Sequence, residues 1–176
     1  MAGTLLLVAT PIGNLEDITL RALRVLREAD LIAAEDTRRT GKLLAHFGIA
    51  TKTVSLHEHN ERRKMSALLD RVRAGATVAV VSDAGMPVVS DPGRELIREA
   101  VASGIKVEIV PGASALTMAM AGASLDGDLT TFAGFAPSRS GERRRWLADR
   151  VERRAAGLPR VHTSYQFGWE PVGDFR

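Results

Sequence analysis

Short apolar runs alternate with segments of helical periodicity along most of this chain. The apolar runs are four to six residues long and are bounded by turn residues, which is typical of buried strands. The predicted strands are residues 5–9, 31–34, 51–56, 77–81, 106–110 and 130–135. Because strands and helices alternate strictly, the pattern predicts an α/β fold in which helices cover both faces of a parallel sheet.

The segments between the strands carry the spacing and the end signals of helices. The predicted helices are residues 17–29, 39–47, 60–74, 94–103, a segment from Pro111-Gly112 to residue 124, and residues 138–154. Asn60 is the expected N-cap of the third helix. Asp91, followed by Pro92 in the first turn, is the expected N-cap of the fourth.

A polar or Gly/Pro-rich cluster follows each of the first five predicted strands. The clusters are residues 10–14, 35–38, 57–60, 82–93 and 111–114. Because the carboxyl ends of parallel strands meet at one edge of a sheet, where open α/β sheets bind ligands, the clusters predict one composite site. The fourth cluster is the longest, and its glycines and prolines fix an unusual backbone path. Asp83, directly after the strand, is expected to face the ligand.

Composition narrows the class of protein. The chain has 176 residues, of which 45% are hydrophobic and 26% charged, as in an ordinary globular domain. It has no cysteine, which excludes disulfides, cysteine-based metal sites and cysteine nucleophiles. No apolar run is long enough to span a membrane, and the first residues lack the basic segment of a signal peptide. We therefore expect a cytoplasmic protein without membrane contact.

The net charge of +3 is unevenly distributed. Residues 1–137 hold 15 Lys and Arg against 16 Asp and Glu, whereas residues 138–176 hold 9 against 5, so the basic excess lies in the second part. Seven arginines lie in residues 138–154. Such a helix is either a solvated surface or a contact for RNA, and both remain open. We divide the chain here into an α/β domain that carries the site, residues 1–137, and a basic helix with a divergent tail, residues 138–176.

Several ligand classes are disfavoured by the motifs. No Gly-x-Gly-x-x-Gly of a dinucleotide site follows the first strand, and Thr40-Gly41-Lys42 lacks the upstream glycine of a P-loop. His57 and His59 are either metal ligands or polar loop residues, and we favour the second and predict no metal site. Residues 112–115 resemble half of a nucleophile elbow, but we favour a tight turn into a helix whose amides face a ligand.

The segment Glu35-Asp36-Thr37-Arg38 leaves two interpretations open. Its carboxylates could lie at the start of a helix, where the positive end of the helix dipole stabilises their negative charge. Alternatively, they could contact a polar substrate or supply a base.

Taken together, the clusters resemble the tetrapyrrole methylase superfamily and, within it, the ribosomal RNA small subunit methyltransferase I family. The resemblance covers roughly residues 3–150, with the motifs in the family's order and spacing. The matching segments are residues 10–19 (TPIGNLEDIT), 34–38 (AEDTR), 82–85 (SDAG) with 90–93 (SDPG), 110–112 (VPG), and 134–135 (GF) with 141–144 (GERR).

The resemblance implies methyl transfer from S-adenosylmethionine to the ribose 2′-oxygen of a cytidine in 16S rRNA. The implied partner is 16S rRNA or the small ribosomal subunit, and whether the chain forms a homodimer is left open. The residues that the resemblance assigns to the cofactor are Pro11, Asp83, Ala84, Gly85, Val88, Val89, Ser114 and Ala115. Those assigned to the substrate are Glu35, Thr37 and Arg38. A base would assist the weakly acidic hydroxyl, and Asp36 is the first candidate and His57 the second.

Three departures from the family pattern matter. Met86 stands where the family has Thr, and Ala113 stands where it has Pro. The likeness also fades after residue 150, where the family continues into a second α/β domain that closes the cleft. We therefore expect a chain truncated after its N-terminal domain, as a frameshift would produce, and weakly active or inactive alone; a naturally short form is the alternative. Two other functions remain open, namely methylation of a small tetrapyrrole-like substrate and non-catalytic RNA binding through the basic helix.

Overall fold

The computed structural model describes residues 3–57, 61–88, 93–122, 131–155 and 161–164. The chain forms two compact units, Met1–Ser114 and Ala115–Arg176. The elements of the first unit are β1 (Thr4–Val8), α1 (Leu20–Glu28), β2 (Leu31–Ala34), α2 (Thr37–His46), β3 (Thr53–Ser55), α3 (Glu61–Arg73), β4 (Thr77–Val81), α4 (Arg94–Ala102) and β5 (Lys106–Val110). Those of the second are α5 (Ala115–Gly122), β6 (Thr131–Phe135), α6 (Ser140–Ala155) and β7 (Val161–Ser164).

The first unit is built on a five-stranded sheet with the order β3-β2-β4-β1-β5. All four strand pairs are parallel, and the register between β1 and β5 runs from Thr4 opposite Lys106 to Val8 opposite Val110. The strands β2, β4 and β1 are therefore neighbours in the middle of the sheet. Their carboxyl ends lie side by side, which brings the loops after them together.

Both faces of this sheet are buried along its central strands β2, β4 and β1. Along β1, Leu6 and Val8 belong to the core on one face, and Leu5 and Leu7 to the core on the other, as the alternation of a strand requires. The first face packs against α1 and α2, and the second against α3 and α4. Burial of each leucine contributes about 2 kcal/mol. The predicted parallel α/β fold with helices on both faces is thus confirmed.

The starts of α1 and α2 differ from those predicted, and in both cases a capping hydrogen bond explains the difference. Helix α1 begins at Leu20 rather than at residue 17, because Thr19 is its N-cap and accepts a hydrogen bond from the amide of Ala22 (3.0 Å). Residues Leu15–Asp17 form a separate 3-10 turn. The structure starts α2 at Thr37 rather than at residue 39, because Asp36 is its N-cap.

The predicted cap of α4 is wrong. Gly93, with a φ of 107°, occupies the N-cap position and makes no side-chain cap bond, so Asp91 does not have this role. A residue without a side chain can adopt this left-handed conformation without strain. Asp91, Pro92 and the predicted cap Asn60 lie outside the described residues.

The second unit contains a parallel pair of strands, of which only one was predicted from the sequence. In this pair β6 matches the predicted strand, and β7 pairs with it with Thr131 opposite Val161. Residues around β7 show no clear periodicity, so this strand was missed. The first unit ends at Ser114, and the predicted boundary between residues 137 and 138 stays a prediction.

Candidate functional site

Three loops meet at the carboxyl edge of the sheet in the first unit. They begin at Ala9 after β1, at Glu35 after β2 and at Ser82 after β4. We call residues 35–36 the β2 loop and residues 82–88 the β4 loop. The sequence predicted that these clusters share one edge, and the strand order places them next to one another.

The backbone of the β4 loop is fixed to the end of β1. Thr10 and Gly85 form an isolated antiparallel bridge: the Thr10 amide donates to the Gly85 carbonyl (2.9 Å), and the Gly85 amide donates to the Thr10 carbonyl (3.0 Å). The Thr10 hydroxyl also donates to the Ser82 carbonyl (3.2 Å), and both residues are buried. Because these groups are desolvated, each bond holds the loop more firmly than a solvated one would.

Gly85 adopts a conformation that other residues avoid. Its φ is 81°, and a Cβ at this position would lie 3.3 Å from the side chain of Ile12 and 3.6 Å from the carbonyl oxygen of Ala113. The missing side chain therefore allows the β4 loop to pack closely against the loops that follow β1 and β5. Pro11 is buried beside this bridge, whereas Ala84 is exposed.

Carboxylates join the β2 loop to the β4 loop in a reciprocal way. The Asp36 amide donates to Asp83 Oδ1 (3.1 Å), and the Asp83 amide donates to Glu35 Oε2 (3.2 Å). The Glu35 amide also donates to the carbonyl of Val81 (3.3 Å). Each loop thus supplies an amide to a carboxylate of the other loop. Asp83 was expected to face a ligand, but its side chain is directed at the start of α2.

Asp36 combines a capping role with an ion pair. Its Oδ1 accepts from the Arg38 amide (2.8 Å), and its carboxylate accepts two bonds from the Arg38 guanidinium, at 3.3 Å from Nε and 3.0 Å from Nη2. These bonds lower the pKa of Asp36 to about 2. Such a carboxylate is ionised at neutral pH but is a weak base, which argues against Asp36 as the proton acceptor.

The other two carboxylates are shifted in the opposite direction. Burial raises the pKa of Glu35, although its bond from the Asp83 amide opposes this, and the neighbouring Asp83 carboxylate raises it further. Burial also raises the pKa of Asp83, against the attraction of the Arg39 guanidinium. Perturbed carboxyl groups close together are typical of functional sites and also of structural ion networks.

Replacing Glu35 with glutamine tests this electrostatic arrangement. A raised pKa means that stability from Glu35 is present at low pH and is lost as the pH rises through the folded-state pKa. Glutamine keeps an acceptor for the Asp83 amide and does not titrate. The melting temperature of Glu35→Gln, relative to that of the parent, should therefore rise between about pH 4 and pH 8.

Scanning calorimetry at several pH values measures this difference, and Glu28→Gln, at an exposed ion pair with Arg24 (3.2 Å), serves as the control. We expect a much smaller difference for the control, because an exposed ion pair contributes little to stability. A flat difference for Glu35→Gln would contradict the proposed role of burial.

Val88, a predicted cofactor residue, has a φ of 76°. A β-branched residue rarely adopts this left-handed conformation, which costs about 1–3 kcal/mol. Packing holds it there, because Val88 contacts the core on the α3 and α4 face and its Cγ2 lies 3.6 Å from where a Cβ on Gly93 would stand. Strain of this kind is concentrated at functional sites. Val89 lies outside the described residues.

The remaining predicted residues are distributed along the same elements. Thr37 is the first residue of α2, and His57 follows β3, which is the edge strand beside β2. Ser114 ends the first unit and Ala115 begins the second, so their predicted place beside the β4 loop stays a prediction. Within the part of the chain that the structure describes, no three His, Asp or Glu side chains are grouped so that they could hold a metal ion.

Arg39 was not among the residues predicted from the sequence. Its guanidinium lies 3.2 Å from Asp83 Oδ2, one helical turn beyond the cap Asp36. The pairing depends on β2 and β4 being adjacent, which the order of residues along the chain does not reveal.

Among the described helices, none is both long and apolar enough to cross a bilayer.

The sequence of the chain is similar to the sequences of two curated bacterial proteins that have the same name. The chain is 54% identical over 147 residues to the ribosomal RNA small subunit methyltransferase I of Halalkalibacterium halodurans, a match that covers 84% of this chain and 51% of the relative. It is 53% identical over 143 residues to the protein of the same name from Pseudomonas aeruginosa, covering 81% and 51%. The chain therefore spans about half the length of the curated relatives it matches.

A solved structure shares the fold. The uroporphyrin-III C-methyltransferase of Thermus thermophilus, complexed with S-adenyl homocysteine, matches with a TM-score of 0.55 and 26% identity over 80% of this chain and 61% of its own. The family model of the tetrapyrrole (corrin/porphyrin) methylases matches residues 4–163. This match and the shared fold show that the chain belongs to the tetrapyrrole methylase family.

Proposed function

We propose that this chain carries the methyl-donor site of an enzyme that uses S-adenosylmethionine to methylate the ribose 2′-oxygen of a cytidine in 16S rRNA. The names of the two curated relatives support the RNA substrate. The S-adenyl homocysteine bound to the Thermus thermophilus methyltransferase supports the cofactor. The observation that carries the proposal is the β4 loop, whose backbone is fixed by the bridge between Thr10 and Gly85.

The residues at this edge fit a methyl donor. A Cβ on Gly85 would lie 3.3 Å from Ile12, so only a glycine lets the β4 loop pass this close to the loop after β1 and present its neighbouring residues at this edge. The residues that would hold the donor are Pro11, Asp83, Ala84, Gly85, Val88, Val89, Ser114 and Ala115. Asp83 would contribute its backbone, because its carboxylate accepts from the Asp36 amide and pairs with Arg39.

The chemistry requires positioning more than proton transfer. The donor supplies a methyl group that is already activated by a sulfonium. The protein therefore has to hold the ribose hydroxyl in line with that methyl group, and orientation of this kind accounts for a large part of the rate. With a pKa of about 2, Asp36 is better suited to holding Arg38 than to accepting the proton. His57 is then the remaining candidate base.

Arg38 is the residue best placed to contact RNA. Its side chain is 88% exposed, and Asp36 holds the guanidinium through two hydrogen bonds. An exposed, preoriented guanidinium can contact a phosphate with its outward-facing donors. Thr37 and Glu35 would act beside it.

We place the reaction in the cytoplasm, where small ribosomal subunits are found, and leave the homodimer as a prediction.

Gly85→Ala is expected to weaken binding of S-adenosylhomocysteine about tenfold, because an alanine with a φ of 81° costs about 1–2 kcal/mol and its methyl group would press on Ile12, so the free loop leaves this conformation and binding has to restore it. Titration followed by NMR measures this on the chain as it is. Gly41→Ala is the matched control, since a Cβ there meets nothing within 4 Å. Equal affinity of Gly85→Ala and the parent would contradict the proposed site.

The reaction itself is tested with labelled S-adenosylmethionine and small ribosomal subunits that lack the modification. The chain is compared with a fusion to the C-terminal half of the Halalkalibacterium halodurans relative. We expect the fusion to label the 2′-oxygen of a cytidine and the chain alone to label it weakly. Label on a base, or label on a tetrapyrrole but not on RNA, would reject the proposal.

A further inference from the structure

The two oxygens of Asp83 have different partners. Oδ1 accepts the Asp36 amide at 3.1 Å, and Oδ2 lies 3.2 Å from the Arg39 guanidinium. Both partners belong to the start of α2, and the Asp83 amide in turn donates to Glu35. The carboxylate of Asp83 is thus held between one backbone group of the β2 loop and one cation of α2.

We infer that Arg39 is a positioning residue of the methyl-donor site, which holds Asp83 against the start of α2 and so fixes the backbone of residues 83–85. The inference rests on the proposed function for the identity of the ligand. It rests on the structure alone for the connection between the two loops. Arg39 touches neither donor nor RNA in this scheme and acts through Asp83.

The surroundings of Asp83 distinguish this ion pair from an ordinary surface pair. Arg24 and Glu28 lie at the same distance of 3.2 Å, but their side chains are 60% and 62% exposed, and such a pair contributes little. Arg39 is also 60% exposed, whereas Asp83 is only 23% exposed. A carboxylate that has lost much of its water depends more on its remaining partners.

The β4 loop is also held by Thr10, and these bonds do not depend on Arg39. Thr10 holds the residues on both sides of this segment, Ser82 and Gly85, and the Asp83 carboxylate is attached to the start of α2. Removing Arg39 leaves the Thr10 bridge in place and weakens only the second attachment. The backbone of Asp83 and Ala84 would then gain freedom, while the bonds of Thr10 to Ser82 and Gly85 stay in place and the sheet stays folded.

The experiment compares the parent chain with Arg39→Ala, Arg39→Lys, Asp83→Asn, the double variant Arg39→Ala/Asp83→Asn, and Arg24→Ala as the matched control. Hydrogen exchange followed by NMR, without any ligand, reports on the amides of Asp36 and Asp83, which both donate across the two loops. We expect Arg39→Ala to speed the exchange of these two amides about tenfold. Arg39→Lys should restore most of the protection, because lysine keeps the charge. Arg24→Ala should leave the exchange rates unchanged. Unchanged exchange in Arg39→Ala would overturn the inference, whether or not the chain binds a methyl donor.

The second arm measures affinity for S-adenosylhomocysteine in the same variants. We expect Arg39→Ala to bind about fivefold more weakly and the double variant to lose no more than either single one, as for residues acting as one unit. Loss of the Arg39 charge also raises the pKa of Asp83, because Arg39 opposes the effects of burial and of the neighbouring Asp36 carboxylate; the other carboxylate that faces Asp83 is Glu35. As the pH is lowered, Asp83 should therefore be protonated earlier in Arg39→Ala, and the affinity of this variant should fall at a higher pH than that of the parent. A purely structural role of Arg39 would not shift the pH profile.

The two arms separate the inference from the proposed function. If the parent binds S-adenosylhomocysteine and Arg39→Ala binds it equally well, with the same pH profile, Arg39 does not position the donor site and the inference is wrong. If the parent itself shows no binding, the proposed function fails, and the exchange rates still decide whether Arg39 joins the two loops.

Discussion

Replacing Gly3 with alanine is expected to destabilise the first unit by about 3 kcal/mol, since overpacking against atoms that cannot move aside is costly. A Cβ at residue 3 would lie 2.2 Å from the carbonyl oxygen of Val72 and 2.4 Å from that of Ala76. Both are backbone atoms, at the end of α3 and in the turn before β4. The Thr4 amide, which donates to the Ala76 carbonyl (3.3 Å), ties the start of β1 to the same turn.

Thermal unfolding followed by circular dichroism measures this effect, and we expect the midpoint to fall by about 10 °C. Gly41→Ala is the control, because Gly41 lies inside α2 and a Cβ there meets nothing within 4 Å. An alanine inside a helix should stabilise by about 0.5–1 kcal/mol. A midpoint for Gly3→Ala within about a degree of the parent would show that the backbone can move aside and that the close approach is not rigid.

Hydrophobic periodicity was sufficient to predict the parallel sheet and the helices on its two faces, because it reflects burial directly. It failed at helix ends, which depend on single hydrogen bonds. Ile18 continues the apolar spacing of the helix, yet the hydroxyl of Thr19 accepts a hydrogen bond from the amide of Ala22, and α1 therefore begins later. In α2 the carboxylate of Asp36 caps the amide of Arg38 and starts the helix earlier. The cap Thr19 was missed, whereas a carboxylate at the start of α2 was one of the two interpretations left open for residues 35–38.

The site was predicted as an edge of the sheet but not as a set of contacts. The sequence places residues 35–38 and 82–85 after strands, and it does not reveal the order in which the strands pair. Only the adjacency of β2 and β4 brings the Asp36 amide to Asp83, 47 residues further along the chain. The same adjacency directs the Asp83 carboxylate at the start of α2, so this residue joins two loops, and its predicted contact with the ligand stays a prediction. Arg39 was missed for the same reason.

Removing two arginines from α6 is expected to weaken RNA binding about 30-fold at about 0.1 M salt. Arg144 and Arg145 are exposed in the first two turns of this helix, and within the described residues neither has a carboxylate at ion-pair distance. Their neighbours are already engaged: Arg139 pairs with Glu142 (3.5 Å), and Arg143 donates to the carbonyl of Ser138 (3.0 Å). Guanidinium groups on an exposed helix release counterions when they bind phosphates, so their loss should reduce the salt dependence.

Fluorescence anisotropy with a labelled 16S rRNA fragment, over a range of salt concentrations and without cofactor, measures both quantities for Arg144→Ala/Arg145→Ala. Each lost phosphate contact should lower the slope of log affinity against log salt concentration by about 0.7–0.9, so the double variant should lose about 1.4–1.8. Arg24→Ala/Arg27→Ala removes the same charge from exposed positions of α1 and should leave the slope nearly unchanged. If the two double variants lose equal slope, net charge alone explains the binding and α6 is a solvated surface. If only the α6 variant loses it, the helix contacts RNA directly, and this holds whether or not the chain transfers a methyl group.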